Sequence, residues 1–286
     1  MPDIPSDSRH LEPAGESPLV TRWVIDLDGV VWRGQAPIEG SVEAVERLRV
    51  AGHEVIFVTN HAESPAIKQR RLAEMGVVQP LVITSAEAAA HLCGPGRRAF
   101  VLGEPTLSEV LTSAGIDAID VASVDPDGPV PQTDVVIVGA CSDWNRSRTG
   151  LIADAVRAGA EFIATNSDPT YPQMGVAGPR LLPGAGALVA AVEVTSGVKP
   201  AFAGKPNQPA ADLVLERYGP VDFVVGDRDD TDGEFARRLG ARFALVLSGG
   251  TPPDEVPTNP APDLVARDLA CVVDEVLRSL STMTVE

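Results

Sequence analysis

Two aspartates, Asp26 and Asp28, stand two residues apart at the end of the apolar run Trp23-Val24-Ile25, and Gly29 follows them. The run has the apolar, partly β-branched character of a strand buried on both faces, and Gly29 offers a backbone able to take positive φ as the chain leaves the sheet. The two carboxylates therefore emerge at a strand's carboxyl end, the edge at which open parallel sheets bind ligands. Two anions held this close repel unless a proton or a cation separates them. A hard divalent ion answers that need: magnesium takes few protein carboxylates and leaves positions open for a phosphate oxygen. The plainer reading of the same residues is an aspartate-rich turn with Asp28 in an Asx-turn. Partner groups at other strand ends decide between the two.

Such groups follow. Val55 to Val58 runs into Thr59-Asn60, which either hydrogen-bonds a phosphoryl oxygen or merely begins a turn. Ala201-Phe202-Ala203 leads into Gly204-Lys205-Pro206, and Val221 to Val225 leads into Gly226-Asp227-Arg228-Asp229-Asp230-Thr231-Asp232-Gly233. Together they read as one phosphoryl-transfer site. Asp26 is the expected nucleophile, giving an aspartyl-phosphate and splitting one difficult displacement into two easier ones. Asp28 protonates the leaving alkoxide and then, as a base, activates water. Asp227, with Asp26 and the main-chain carbonyl of Asp28, is expected to hold Mg²⁺. Lys205 adds a fixed positive charge, and Thr59 and Asn60 orient the phosphoryl group for in-line attack. Asp232 is expected to hold Lys205 or a metal-bound water.

The elements that must carry these groups alternate strand and helix, the pattern of βαβ units around a parallel sheet. After Asp28, helices are expected over Ser41 to Ala51, from Ser64-Pro65 to near Gly76, and through Cys93 with Ser85 as its cap. Gly94-Pro95-Gly96 breaks the pattern, and a fresh α/β series begins with Ala99 to Leu102 as a strand. This middle block has apolar elements of its own, and from Lys199 the first kind of pattern returns. The expected division is a disordered tail over 1–18, a core first half over 19–96, an inserted α/β block over 97–199 and a core second half over 200–286.

In that order, Asp26-Leu27-Asp28-Gly29, Thr59-Asn60, Gly204-Lys205-Pro206 and Gly226-Asp227 with Asp232 resemble the haloacid dehalogenase superfamily of phosphatases. More narrowly, the chain is similar to the subfamily with a large α/β cap between the second and third motifs. That group acts on nitrophenyl phosphate, nucleotides, phosphoglycolate, pyridoxal phosphate or glycerol phosphate. The resemblance implies an α/β fold with a Rossmann-like parallel-sheet core, a cap, Mg²⁺ dependence and hydrolysis of small phosphomonoesters. It also implies that the loop Asn166 to Pro172 faces the site. Asp168 and Tyr171 then either contact the leaving group or form a proline-punctuated turn packed on the cap. Pairing through the cap into a homodimer is an arrangement seen in such relatives. His61 and Asp229 depart from the pattern of many relatives. His61 is read as a polar rim residue, because Asp28 already fills the acid/base position, and Trp32 as packing near the junction of core and cap.

Composition narrows the partners. A net charge of -17 over 286 residues argues against a nucleic-acid backbone or an anionic membrane surface, both of which call for basic patches. No apolar run approaches the roughly 20 residues that span a bilayer. The three cysteines, Cys93, Cys141 and Cys271, are widely spaced and read as free thiols of a reducing, cytoplasmic setting. The expected partner is a small phosphorylated metabolite: a polyol, sugar or glycolate phosphate, or alternatively a nucleoside monophosphate or pyridoxal phosphate. A receiver-like module whose aspartate is phosphorylated as a switch is the competing class, since it too places Asp, Thr and Lys at strand ends.

Overall fold

The structure, a computed structural model, describes residues 20–175, 178–256 and 258–283, so the tail expected over 1–18 lies outside the described residues. Along the chain run β1 (Arg22–Ile25), β2 (Trp32–Arg33), β3 (Ala36–Pro37), β4 (Glu54–Thr59), β5 (Leu81–Thr84), β6 (Arg98–Leu102), β7 (Asp117–Asp120), β8 (Val135–Val138), β9 (Glu161–Ala164), β10 (Thr170–Gly175), β11 (Gly178–Pro183), β12 (Ala201–Phe202), β13 (Phe223–Gly226), β14 (Arg242–Val246) and β15 (Leu264–Ala266). Six of these form one sheet in the order β15-β14-β13-β1-β4-β5, with every pairing parallel. A second parallel sheet has the order β12-β9-β8-β6-β7, and β10 pairs with β11 as an antiparallel hairpin.

β1 sits inside the first sheet, between β13 and β4, and its Trp23, Val24 and Ile25 are wholly buried. Alternate residues of a strand face opposite ways, and here the two faces feed two apolar layers. Val24 packs with Ile56, Ile83 and Val224, while Trp23 and Ile25 pack with Phe57, Val225 and Val273. That double burial is why β1 reads as a continuous apolar run rather than an alternating one. The chain leaves β1 for β4 on one side, and its later half returns as β13 on the other. Such a reversal of strand order opens a crevice at the carboxyl ends. Asp26 stands at that crevice.

The second sheet enters through the helix Ser85–Cys93, whose Ala86 and Ala89 share one apolar layer with Leu107 and Leu111 of the helix Pro105–Ser113 and with Ile137 and Ile163. The two sheets are thus joined by packing as well as by chain. Several local expectations differ from what is found. Thr84, not Ser85, caps that helix: its hydroxyl accepts the Glu87 N–H and the Glu87 carboxylate accepts the Thr84 N–H, a capping box. Ala201-Phe202 pairs with β9 at the edge of the second sheet, and the backbone N–H groups of Ala203 and Gly204 continue the contact by donating to the Ala164 and Thr165 carbonyls. Trp32 packs, as its reading expects, fully buried in the first sheet's apolar layer beside Val30 and Val31. Among the described residues no helix is long and apolar enough to cross a membrane, and Cys93, Cys141 and Cys271 are free.

Candidate active site

Lys205 ties the base of the crevice together. It follows β12, is 3 % exposed, and its ammonium donates to Asp26 Oδ1 at 2.8 Å and to Asp232 Oδ1 at 2.7 Å. Burial alone would favour the neutral amine, but the two carboxylates outweigh it and hold the lysine above its ordinary range. Asp26 is pushed the other way: burial raises its carboxyl well above the usual value, Lys205 opposes this, and Asp232 and Asp227 add to it. Asp227, at the end of β13, is raised to about 6 by burial and by the charge of Asp232.

Asp227 is fixed by backbone. The Gly250 N–H donates to its Oδ2 at 2.6 Å, and the Thr251 hydroxyl donates to its carbonyl at 2.6 Å. A Cβ on Gly29 would stand 2.2 Å from Asp227 Oδ2, and one on Gly249 would stand 2.0 Å from it. Gly29 also has φ of +83°, so its glycine is required both by conformation and by the approach of the carboxylate.

Carboxylate oxygens of Asp26, Asp227 and Asp232 converge within 4.8 Å of one another. Three buried carboxylates against one ammonium leave an excess of negative charge that a hard cation would relieve, and an all-oxygen donor set suits such an ion. Of the three, Asp232 is the most engaged, since Oδ1 holds Lys205 and Oδ2 faces the Arg228 N–H at 3.3 Å. Asp26 and Asp227 are the better placed ligands.

Asp28 turns its carboxylate away from this cluster. Its Oδ1 accepts the indole N–H of Trp32 at 3.0 Å, and over the same indole the Arg71 guanidinium stacks at 3.9 Å. Its Oδ2 is buried without a hydrogen bond, and His61 Nε2 stands 3.3 Å off, out of line. On the far side of the imidazole, Nδ1 lies 3.2 Å from Lys68 Nζ, which pairs with Glu63 at 2.8 Å. Burial lowers the His61 pKa, Asp28 opposes this and Lys68 reinforces it. Lys68 went unnoticed in the sequence because a lysine in a run of basic residues reads as a solvated face. The available signal was its place four residues before Leu72, since both occupy the buried side of the helix Pro65–Glu74.

Thr59 is buried and its hydroxyl accepts the His61 N–H at 3.2 Å, which shapes a turn there. Asn60 Nδ2 donates to the Lys205 carbonyl at 3.1 Å, while its Oδ1 is buried with no partner. The Asn60 carbonyl accepts from Ser85 at 2.6 Å and from Asn166 Nδ2 at 2.7 Å, so the segment after β9 is bonded to the first sheet's motif. Asp168 accepts from Arg228 Nη1 at 3.1 Å, and Arg228 also grips Asp230 at 3.0 and 2.8 Å. Tyr171, in β10, meets the His61 ring edge-on with centroids 5.3 Å apart. The second sheet's loop therefore closes over the crevice through Asn166, Asp168 and Tyr171. Trp144 is exposed, its indole N–H donating to the Thr149 hydroxyl at 2.7 Å.

Residues 23–117 match a family described as haloacid dehalogenase-like hydrolase, and residues 202–272 match one described as HAD-hydrolase-like. D-glycerol 3-phosphate phosphatase of Mycobacterium tuberculosis is 36% identical over 79% of this chain, and the chain spans 62% of that relative's length. Acid sugar phosphatase of Staphylococcus saprophyticus is 30% identical over 89% of this chain and 97% of its own. Among solved structures, glycerol phosphate phosphatase from M. tuberculosis in complex with magnesium superposes with a TM-score of 0.76 at 32% identity, covering 88% of this chain and 76% of that one.

Proposed function

The chain belongs to the haloacid dehalogenase-like hydrolase family, and we propose that it is a Mg²⁺-dependent phosphatase of small phosphomonoesters, working through an aspartyl-phosphate on Asp26. The observation that carries this reading is Lys205, buried and shared between Asp26 at 2.8 Å and Asp232 at 2.7 Å, with Asp227 in the same cluster.

Asp26 attacks phosphorus through one carboxylate oxygen, and the bond from phosphorus to the ester oxygen breaks. Asp28 gives that oxygen its proton, becomes a carboxylate, and then takes a proton from the water that attacks the acyl phosphate. Lys205 opposes the burial that raises the Asp26 carboxyl and offers positive charge to the phosphoryl oxygens. Thr59 and Asn60 orient the phosphoryl group, the Asn60 side chain being set by the Lys205 carbonyl. Magnesium, held by Asp26, Asp227 and the main-chain carbonyl of Asp28, would add charge against the same oxygens. Asp232 keeps Lys205 in place.

The second sheet and its hairpin act as the cap, with Asp168 and Tyr171 bounding the space for the leaving group. Relatives named for glycerol phosphate and acid sugars support a polyol or sugar phosphate, glycerol 3-phosphate first among them. A homodimer paired through the cap and a cytoplasmic setting complete the reading, the latter supported by the free thiols.

Phosphate release from a panel of phosphomonoesters tests the proposal, with Mg²⁺ and with chelator. Release that needs Mg²⁺, ranks glycerol 3-phosphate above nucleotides and pyridoxal phosphate, and is absent in a folded Asp26→Asn variant is the expected result. Unchanged release in Asp26→Asn would remove the nucleophile assignment.

A further inference from the structure

The geometry points to His61, with its tautomer set by Lys68, as a positioning residue that aims an N–H at Asp28 Oδ2 and so steadies the acid that protonates the leaving group. This rests on the phosphatase reading and extends it to a residue that the catalytic cluster does not use.

Lys68 is buried, and its ammonium carries three donors and no acceptor. At 3.2 Å from Nδ1, it can be accommodated only if Nδ1 presents its lone pair. A proton on Nδ1, or a second positive charge on the ring, would set donor against donor and cation against cation. The single proton of the neutral ring is therefore on Nε2, and Nε2 is the atom 3.3 Å from Asp28 Oδ2. Glu63, at 2.8 Å from Lys68, pairs with the ammonium and anchors it behind the ring. Tyr171 closes on the imidazole edge from the cap side.

Asp28 Oδ2 is the unsatisfied end of this line. It is buried without a hydrogen bond, while Oδ1 has the Trp32 indole N–H. A buried carboxylate oxygen left without a donor is costly, and a donor 3.3 Å away but misaligned is what tightens when a substrate arrives. With Oδ2 buried, Oδ1 is the oxygen left to carry the proton toward the substrate. As the phosphorus to ester-oxygen bond breaks, its electron pair takes that proton, and negative charge spreads over Asp28. The His61 N–H then donates to Oδ2 and keeps its own proton. His61 thus acts through Asp28 and transfers nothing itself.

The consequence depends on the leaving group. An alkoxide departs only with a proton, whereas nitrophenolate, a resonance-stabilised anion, departs without one. The test measures kcat/KM, which reports through leaving-group expulsion, for glycerol 3-phosphate and for 4-nitrophenyl phosphate in four proteins: the wild type, His61→Ala, His61→Asn and Lys68→Met. In His61→Ala the loss for glycerol 3-phosphate is expected to exceed that for 4-nitrophenyl phosphate by about tenfold or more. His61→Asn, which restores an N–H donor, recovers part of that difference. Lys68→Met, which releases the tautomer without removing the ring, shows the same difference in smaller measure. Equal losses for the two esters in His61→Ala and Lys68→Met, or no loss, would overturn the inference while leaving the phosphatase standing. A wild type that hydrolyses neither ester would overturn both.

Discussion

The floor and the rim of this crevice are built on different principles. The floor is a closed electrostatic unit: Asp26, Lys205, Asp227 and Asp232 are buried or nearly so, Lys205 is hydrogen-bonded to Asp26 and Asp232, and Asp227 is pinned by the Gly250 N–H and the Thr251 hydroxyl. Its geometry is over-determined, to the point that a Cβ on Gly29 or Gly249 would collide with Asp227. The rim is assembled from two sheets and leaves groups incompletely paired, as Asp28 Oδ2 and Asn60 Oδ1 show. Its bridge between sheets, Arg228 with Asp168, is more than a third exposed on the arginine side. The floor is organised to fix charge for one chemistry. On the proposed function, the rim is the part that admits a substrate and tightens on it.

If that contrast is right, disturbing the floor must cost far more than disturbing the rim. Lys205→Met removes the ammonium that is hydrogen-bonded to Asp26 and Asp232. Loss of a preorganised electrostatic group predicts a fall in kcat of about 10²- to 10³-fold. Leaving two buried carboxylates without their partner also lowers the melting temperature of the metal-free protein. A loss of only a few fold would show that the floor is not a unit.

A pH series sharpens the same contrast. Asp227 is raised in the folded state from its ordinary value to about 6. A carboxyl so raised binds its proton more tightly folded than unfolded. Its contribution to stability is therefore fully present below pH ~4 and lost as pH rises through about 6. A divalent cation needs the carboxylate and competes with that proton. The Mg²⁺-induced rise in melting temperature should then be small at pH 5 and grow through pH 6 to 7. A rise that is flat with pH would remove Asp227 from the metal site.

At the rim, Asp168→Asn breaks a partly exposed ion pair with Arg228. Such a pair is worth about 0–1 kcal/mol. The expected result is a change in KM for glycerol 3-phosphate of no more than about fivefold, with kcat and melting temperature nearly constant. A collapse of kcat instead would move Asp168 from the rim to the chemistry.

The same contrast governs what the sequence disclosed. Asp26, Lys205 and Asp227 each follow an apolar strand or a glycine, so these three floor residues stand out from local pattern. The rim could not, because its contacts join residues far apart in the chain. Neither Lys68, in a run of basic residues, nor Arg228, set among four acidic neighbours, stands out in the sequence. The hairpin of β10 and β11 carries Pro172, Pro179 and Pro183, residues that ordinarily deny a strand, and its start falls in the segment Asn166 to Pro172 that the sequence presents as a loop. Ala201-Phe202, only two residues long, had no periodicity to assign it to the second sheet. The parallel sheets themselves were legible because strands buried on both faces must be apolar throughout.

The most direct test of the central claim is to quench the protein in acid during turnover of glycerol 3-phosphate with Mg²⁺ and to locate the phosphoryl group by peptide mass spectrometry. The account predicts one phosphoryl group on Asp26, present during turnover and absent from Asp26→Asn. Turnover with no phosphorylated peptide, or with the phosphoryl group on any other residue, would contradict it.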